Sequence, residues 1–187
     1  MNNMKVAYLI HGWGGKGEGG WFDWLKIQLP KKGFEVKAFN MPDTDHPKIE
    51  TWVKYLEDKI PFESLTKETY FIGHSVGCQT IMRYLEKSPK QMDIGGCVFV
   101  SGWFDLINLE PKEMDIAHPW INTKIDFSRI IRHTNNILAI FSDNDPYVHL
   151  DETKKFKENI GAKIIIKKKQ GHFNETEKIP EIVKFIK

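Results

Sequence analysis

The sequence predicts an α/β fold: a three-layer α/β/α sandwich around a mainly parallel six-stranded sheet. Three observations carry that expectation. Short apolar runs alternate with longer segments of helical periodicity, as in the crossover units of a parallel sheet buried on both faces. One of these runs, Tyr70-Phe71-Ile72, passes directly into Gly73-His74-Ser75-Val76-Gly77 and then into a helical pattern. Two later runs are each followed by a loop that carries aspartate or histidine.

The strands expected, in chain order, are Val6 to Ile10, Glu35 to Asn40, Thr69 to Ile72, Gly96 to Ser101, Ile137 to Ser142 and Lys163 to Lys167. Between them, Trp21 to Lys31, Lys48 to Lys59, Cys78 to Lys87, Asp151 to Asn159 and Glu177 to Ile186 place apolar residues at three- or four-residue spacing, which predicts helices. Gly33 and Gly161 stand where two of these helices would end in a left-handed residue. The stretch from Phe104 to Thr134 breaks the alternation with Pro111, Pro119 and mixed polarity, and reads as an insertion with one brief helix near Asp126 to Ile131. Its neighbourhood supplies Trp103, Phe104, Leu106 and Trp120, which either roof a cleft or pad the sheet edge.

At 187 residues the chain fits a single domain, residues 1–187, with a continuous core. No apolar run approaches the roughly 18 residues of a membrane-spanning helix, so no membrane association is expected. The five-residue run Val6 to Ile10 after Lys5 is too short for the apolar region of a signal peptide, which points to the cytoplasm. Cys78 and Cys97 fall in a predicted helix and a predicted strand, and read as buried free thiols. A net charge of +2 excludes little, but the one dense basic run, Lys167-Lys168-Lys169, sits at a strand end without interleaved aromatics. Nucleic acid is therefore not an expected partner.

The chemistry begins at Ser75. Glycines two residues to either side suit a serine on a sharp strand-to-helix turn, where side chains at those positions would collide with strand or helix. A serine hydroxyl is a weak nucleophile, so acyl transfer needs a histidine to take its proton and a carboxylate to orient that histidine. Both follow in the order Ser, Asp, His. The run Ile137 to Phe141 leads into Ser142-Asp143-Asn144-Asp145-Pro146, and the last strand is followed by Gln170-Gly171-His172-Phe173. Asp143 and Asp145 compete for the orienting role, and His149 is the main rival to His172, lying too near Asp145 in sequence to reach it from a separate loop. The first loop, His11-Gly12-Trp13-Gly14-Gly15, lacks the lysine and hydroxyl of a phosphate loop. It fits an oxyanion hole made by the backbone N–H groups of Trp13 and Val76, with His11, Gly12 and Trp103 as substrate contacts. Asp43, Asp45 and His46 read as a turn before a helix, and no metal is expected.

Taken with Trp21-Phe22-Asp23-Trp24-Leu25, Asn40-Met41-Pro42-Asp43, Trp52, Asp145-Pro146 and Gly171-His172-Phe173, these motifs make nearly the whole chain resemble one family. It is similar to the small single-domain serine hydrolases related to retinoblastoma-binding protein nine and bacterial YdeN-type proteins, within the α/β-hydrolase superfamily. That resemblance implies a minimal α/β-hydrolase sheet lacking the usual two leading strands, no large lid, and a triad of Ser75, Asp145 and His172, thereby favouring Asp145 over Asp143. A retinoblastoma-type partner is not expected, because Leu106-Ile107-Asn108-Leu109-Glu110 lacks the cysteine of the Leu-x-Cys-x-Glu motif. The expected activity is hydrolysis of small carboxylic esters without a cofactor. Thioester or amide cleavage would use the same groups, and a binding protein that keeps the fold is the alternative of another class.

Overall fold

A computed structural model describes residues 4–89 and 91–187. Its six strands are β1 (Lys5–Ile10), β2 (Phe34–Phe39), β3 (Thr69–His74), β4 (Gly96–Val100), β5 (Ile137–Ser142) and β6 (Lys163–Lys167), each within two residues of its predicted bounds. They form one sheet in the order β2-β1-β3-β4-β5-β6, and every neighbouring pair is parallel. The two faces of the sheet are divided by strand alternation. Tyr8, Ile10, Phe71, Phe99 and Phe141 point to one face, where α2 (Ile49–Lys59), α3 (Val76–Lys87), α5 (Phe127–Ile131) and α6 (Glu152–Ile160) cover them. Ala7, Leu9, Ile72, Val98 and Ile140 point to the other, beneath α1 (Gly20–Gln28) and α7 (Pro180–Phe185). This is the three-layer arrangement the alternation predicts. Gly33 and Gly161 take left-handed conformations, φ 84° and 65°, at the ends of a short 3₁₀ turn and of α6.

The insertion differs from expectation. It holds α5 where a brief helix is predicted, capped by the Asp126 side chain on the Ser128 N–H, but also a 12-residue helix, α4 (Pro111–Asn122). Pro111 opens α4 at a position where a missing N–H costs nothing, and a capping box between Glu110 and Glu113 closes the first turn. Only Ala117 and Trp120 of α4 are buried, so the sequence carries no apolar stripe there to announce a helix.

Strand order positions the site. β1 leads through α1 to β2 on one side, whereas β3 leads through α3 to β4 on the other, so the loops after β1 and β3 leave the sheet on opposite faces. A crevice opens at the carboxyl ends of these two neighbouring strands, the place where open parallel sheets bind ligands. Among the described residues no helix is long and apolar enough to cross a membrane.

Candidate active site

Ser75 stands at the end of β3, immediately before the first residue of α3, with φ 52° and ψ −124°. Few non-glycine residues tolerate that backbone, and it persists because the surroundings hold it. The Ser75 N–H is bonded to the Val100 carbonyl at 2.9 Å, and the flanking residues leave no room for side chains. A Cβ at Gly77 would fall 2.4 Å from the Ile10 carbonyl oxygen, and one at Gly73 would fall 2.8 Å from the Cys78 nitrogen. The turn is thus locked between β1 and its own helix. Among the described residues, neither the backbone N–H of Val76 at the start of α3 nor the backbone N–H of Trp13 is donated to another backbone carbonyl, while the Trp13 indole N–H donates to the Asp45 carbonyl at 2.9 Å.

The loops after β5 and β6 are laced together. Asp143 Oδ1 accepts the Lys169 N–H at 2.7 Å, Ser142 Oγ the Gln170 N–H at 2.9 Å, and Asn144 Oδ1 the Gly171 N–H at 2.9 Å. The residues that follow on each loop then meet: His172 Nδ1 lies 2.8 and 3.0 Å from the two carboxylate oxygens of Asp145. Asp145 also accepts from Ser101 Oγ at 2.7 Å and from the Tyr147 and Val148 N–H groups at 3.0 and 3.1 Å. Burial opposes its charge, but the bonds from His172, Tyr147 and Ser101 outweigh burial and hold its carboxyl below the ordinary value. A carboxylate on Nδ1 fixes the proton there and leaves Nε2 of a neutral imidazole as an acceptor. No protein group among the described residues occupies that nitrogen.

His74 lies beneath. Its Nε2–H donates to the His172 carbonyl at 2.7 Å, and its ring centroid is 5.0 Å from that of His172. Burial, reinforced by repulsion from His172, pushes its pKa down to about 3. His74 therefore stays neutral and ties down the loop carrying His172 without competing for a positive charge.

Ser75 and His172 line one cleft of about 410 Å³, together with His11, Gly12, Trp13, Trp21, Leu106 and Tyr147. A family model for serine hydrolases matches residues 7–184. The chain belongs to the serine hydrolase family. Its relatives include the putative hydrolase YdeN of Bacillus subtilis, 29% identical over 92% of this chain and 88% of that protein. The crystal structure of the ydeN gene product superposes with a TM-score of 0.85, covering 96% of this chain and 95% of that one. Serine hydrolase RBBP9 of Rattus norvegicus is 25% identical over 100% of this chain and 96% of its own length. A monoacylglycerol lipase of Paleococcus ferrophilus shares the fold, with a TM-score of 0.67 at 15% identity, covering 97% and 93% of the two chains. The architecture is that of the α/β-hydrolase superfamily.

Within this serine hydrolase the sequence-expected residues separate into groups. Ser75, His172 and Asp145 converge, and Trp13 and Gly12 line the cleft. Asp143 faces the Lys169 backbone instead, and His149 is exposed beside Asp151 at 2.9 Å. His11 borders the cleft, yet both ring nitrogens are engaged: Nδ1 with the Gly12 carbonyl at 2.7 Å and Nε2 with the Met41 N–H at 2.9 Å. It braces the first loop rather than offering a free group to a ligand. Trp103, expected to contact substrate, is 1% exposed and lies outside the cleft lining; its indole N–H reaches Ser75 Oγ at 3.2 Å. Of Trp103, Phe104, Leu106 and Trp120, for which the sequence allows either a cleft roof or padding of the sheet edge, Leu106 alone lines this cleft, joined by Leu109 and Glu113. Trp120 pads the interior, its indole donating to the Pro47 carbonyl at 2.9 Å. Asp43 and His46 form an exposed pair at 3.4 Å. Sequence reasoning missed Ser101 and Glu152. The buried Glu152 accepts the Phe104 N–H at 2.6 Å and the Lys155 ammonium at 2.6 Å, fixing the turn after β4. An acidic residue in the first turn of a helix carries no signal of such a task.

Proposed function

We propose that this serine hydrolase cleaves small carboxylic esters through an acyl-enzyme on Ser75. The Ser75 hydroxyl gives its proton to His172 Nε2 as Oγ bonds to the carbonyl carbon. Asp145 holds the Nδ1–H and stabilises the imidazolium that forms. The N–H groups of Trp13 and Val76 receive the oxyanion, helped by the positive end of α3. His172 then protonates the leaving alkoxide. Water next gives a proton to the same nitrogen as its oxygen bonds to the acyl carbon, the Oγ–C bond breaks to release the acid, and His172 returns the proton to Ser75 Oγ.

The observation that carries this reading is the two-oxygen contact of Asp145 with His172 Nδ1, on a loop that shares its cleft with Ser75. Cleft size favours small substrates: about 410 Å³, walled by Trp21, Phe22, Leu106, Leu109 and Tyr147, accepts a short acyl chain and a compact leaving group. A fluorophosphonate probe tests it. The wild type should label at Ser75 and turn over p-nitrophenyl acetate, while a folded Ser75→Ala variant does neither. A folded wild type that neither labels nor cleaves any ester, thioester or amide of graded chain length is instead a binding protein on a hydrolase fold.

A further inference from the structure

Behind the elbow, α3 buries a polar ladder that the acyl-enzyme scheme leaves unused. Positions 75, 79 and 83 are spaced by four, so they stack along one side of the helix. Gln79 is 0% and Arg83 is 4% exposed. Long polar side chains are rarely so buried unless each polar group has a partner, and here each partner is specific.

Arg83 donates through Nη2 to the carbonyls of Trp120 at 3.0 Å and Thr123 at 2.8 Å, and to Gln79 Oε1 at 2.9 Å, with Nε adding a bond to the same oxygen at 3.3 Å. None of these acceptors is a carboxylate. The guanidinium fixes which end of the Gln79 amide faces it. The Gln79 NH₂ group is thereby turned to the Trp103 carbonyl at 3.1 Å. The Trp103 indole N–H in turn reaches Ser75 Oγ at 3.2 Å, the atom that attacks in the scheme above. A buried path therefore runs from two carbonyls of α4 and its C-terminal cap to the nucleophile.

We propose that Trp103 is a catalytic residue whose indole N–H donates to Ser75 Oγ, and that Gln79 and Arg83 are positioning residues that hold the indole there. The proposal rests on Ser75 being the nucleophile. An indole nitrogen only donates, so Oγ accepts at this contact and its own proton stays free to be given to His172 Nε2 in the scheme above. In acylation the Oγ–C bond forms while that proton passes to His172. In deacylation the Oγ–C bond breaks, its electron pair returns to Oγ, and the proton follows from His172. The indole keeps its proton throughout. Its bond to Oγ strengthens whenever Oγ carries more negative charge than in the resting hydroxyl, so it favours the transition state over the ground state. Trp103 is 1% exposed, and water does not compete for the contact.

Trp103→Phe keeps an aromatic ring and removes the donor. Expressed per titrated active site, its fluorophosphonate labelling rate and kcat on p-nitrophenyl acetate should fall about 10- to 100-fold, with KM within about twofold of wild type. Gln79→Met should lower kcat in the same sense by a smaller factor, again without a change in KM. A purely structural role would lower the titratable fraction and leave the rate per site unchanged, and that result overturns the proposal. Should Trp103→Phe fail to fold, the Trp103 indole proton resonance in wild type and in Ser75→Ala decides. It should move by several tenths of a part per million on loss of Oγ while those of Trp24, Trp52 and Trp120 stay in place; an unmoved Trp103 signal overturns the assignment. Hydrolysis that survives in Ser75→Ala would instead sink the serine hydrolase scheme itself, whereas an inert Ser75→Ala beside a fully active Trp103→Phe removes only the role given to Trp103.

Discussion

Asp143 and Asp145 share a loop and a charge, and their hydrogen-bond partners separate them. Asp145 faces His172 Nδ1, whereas Asp143 faces the Lys169 backbone N–H. Asp145→Asn would offer an amide NH₂ to Nδ1 and so favour the tautomer whose Nε2 already carries a proton. Turnover of p-nitrophenyl acetate should fall about 10³- to 10⁴-fold with an unchanged melting temperature. Asn at 143 still accepts from Lys169, so Asp143→Asn should stay within about twofold of wild type. The reverse ranking in steady-state kinetics would reassign the acid. At this scale the sequence is most legible where chemistry forces a local pattern: Gly73 and Gly77 frame Ser75 because carbonyl oxygens and helix backbone fill the space on either side. It is least legible for Ser101, Trp103 and Glu152, each of which acts on a residue brought near by folding. Nothing in their immediate neighbours marks those contacts.

The elements follow the same logic. β3, β4 and β5 are buried at every position, so they appear as continuous apolar runs whose bounds are read almost directly. α4 buries only Ala117 and Trp120 and contains two prolines, so its periodicity is hidden. Pro111 suits the first turn, but Pro119 sits in the interior, where it removes the N–H that would bond to the Asp115 carbonyl and crowds the preceding turn. Pro119 is solvent-exposed, so burial of its ring does little to offset that cost. Pro119→Ala should therefore stabilise the protein by about 1–2 kcal/mol, the gain in the helix exceeding the added freedom of the unfolded chain. The readout is the urea midpoint at constant slope. An unchanged or lower midpoint would mean that the proline is favourable in its place.

Across the whole molecule the costly features gather at one edge of the sheet. The non-glycine residues with positive φ among those described, Asp43, Ser75, Ser101, Asn108, Lys169 and Phe173, all lie in connections that follow the carboxyl ends of strands. His11 and His74 stand at the same edge, and burial lowers the pKa of both. The site is thus held in an unfavourable state by the rest of the sheet, and acid should expose that debt. His74 titrates ordinarily near 6.5 and near 3 when folded. Between those values the unfolded chain binds a proton that the folded chain refuses, so stability falls as pH drops through the window. The loss grows by about 1.4 kcal/mol per pH unit and reaches about 2 kcal/mol for His74 at pH 5. His11 and His133, both lowered chiefly by burial, act in the same direction. Glu152, raised chiefly by burial, acts in the opposite direction as pH falls towards its ordinary value of 4.5. His74→Gln removes the titration while its amide still donates to the His172 carbonyl. Urea unfolding at pH 7 and pH 5 should show the variant losing about 2 kcal/mol less than wild type over that interval. Equal losses in the two proteins would mean that His74 is not held neutral, and that the loop bearing His172 is tied down by some other bond.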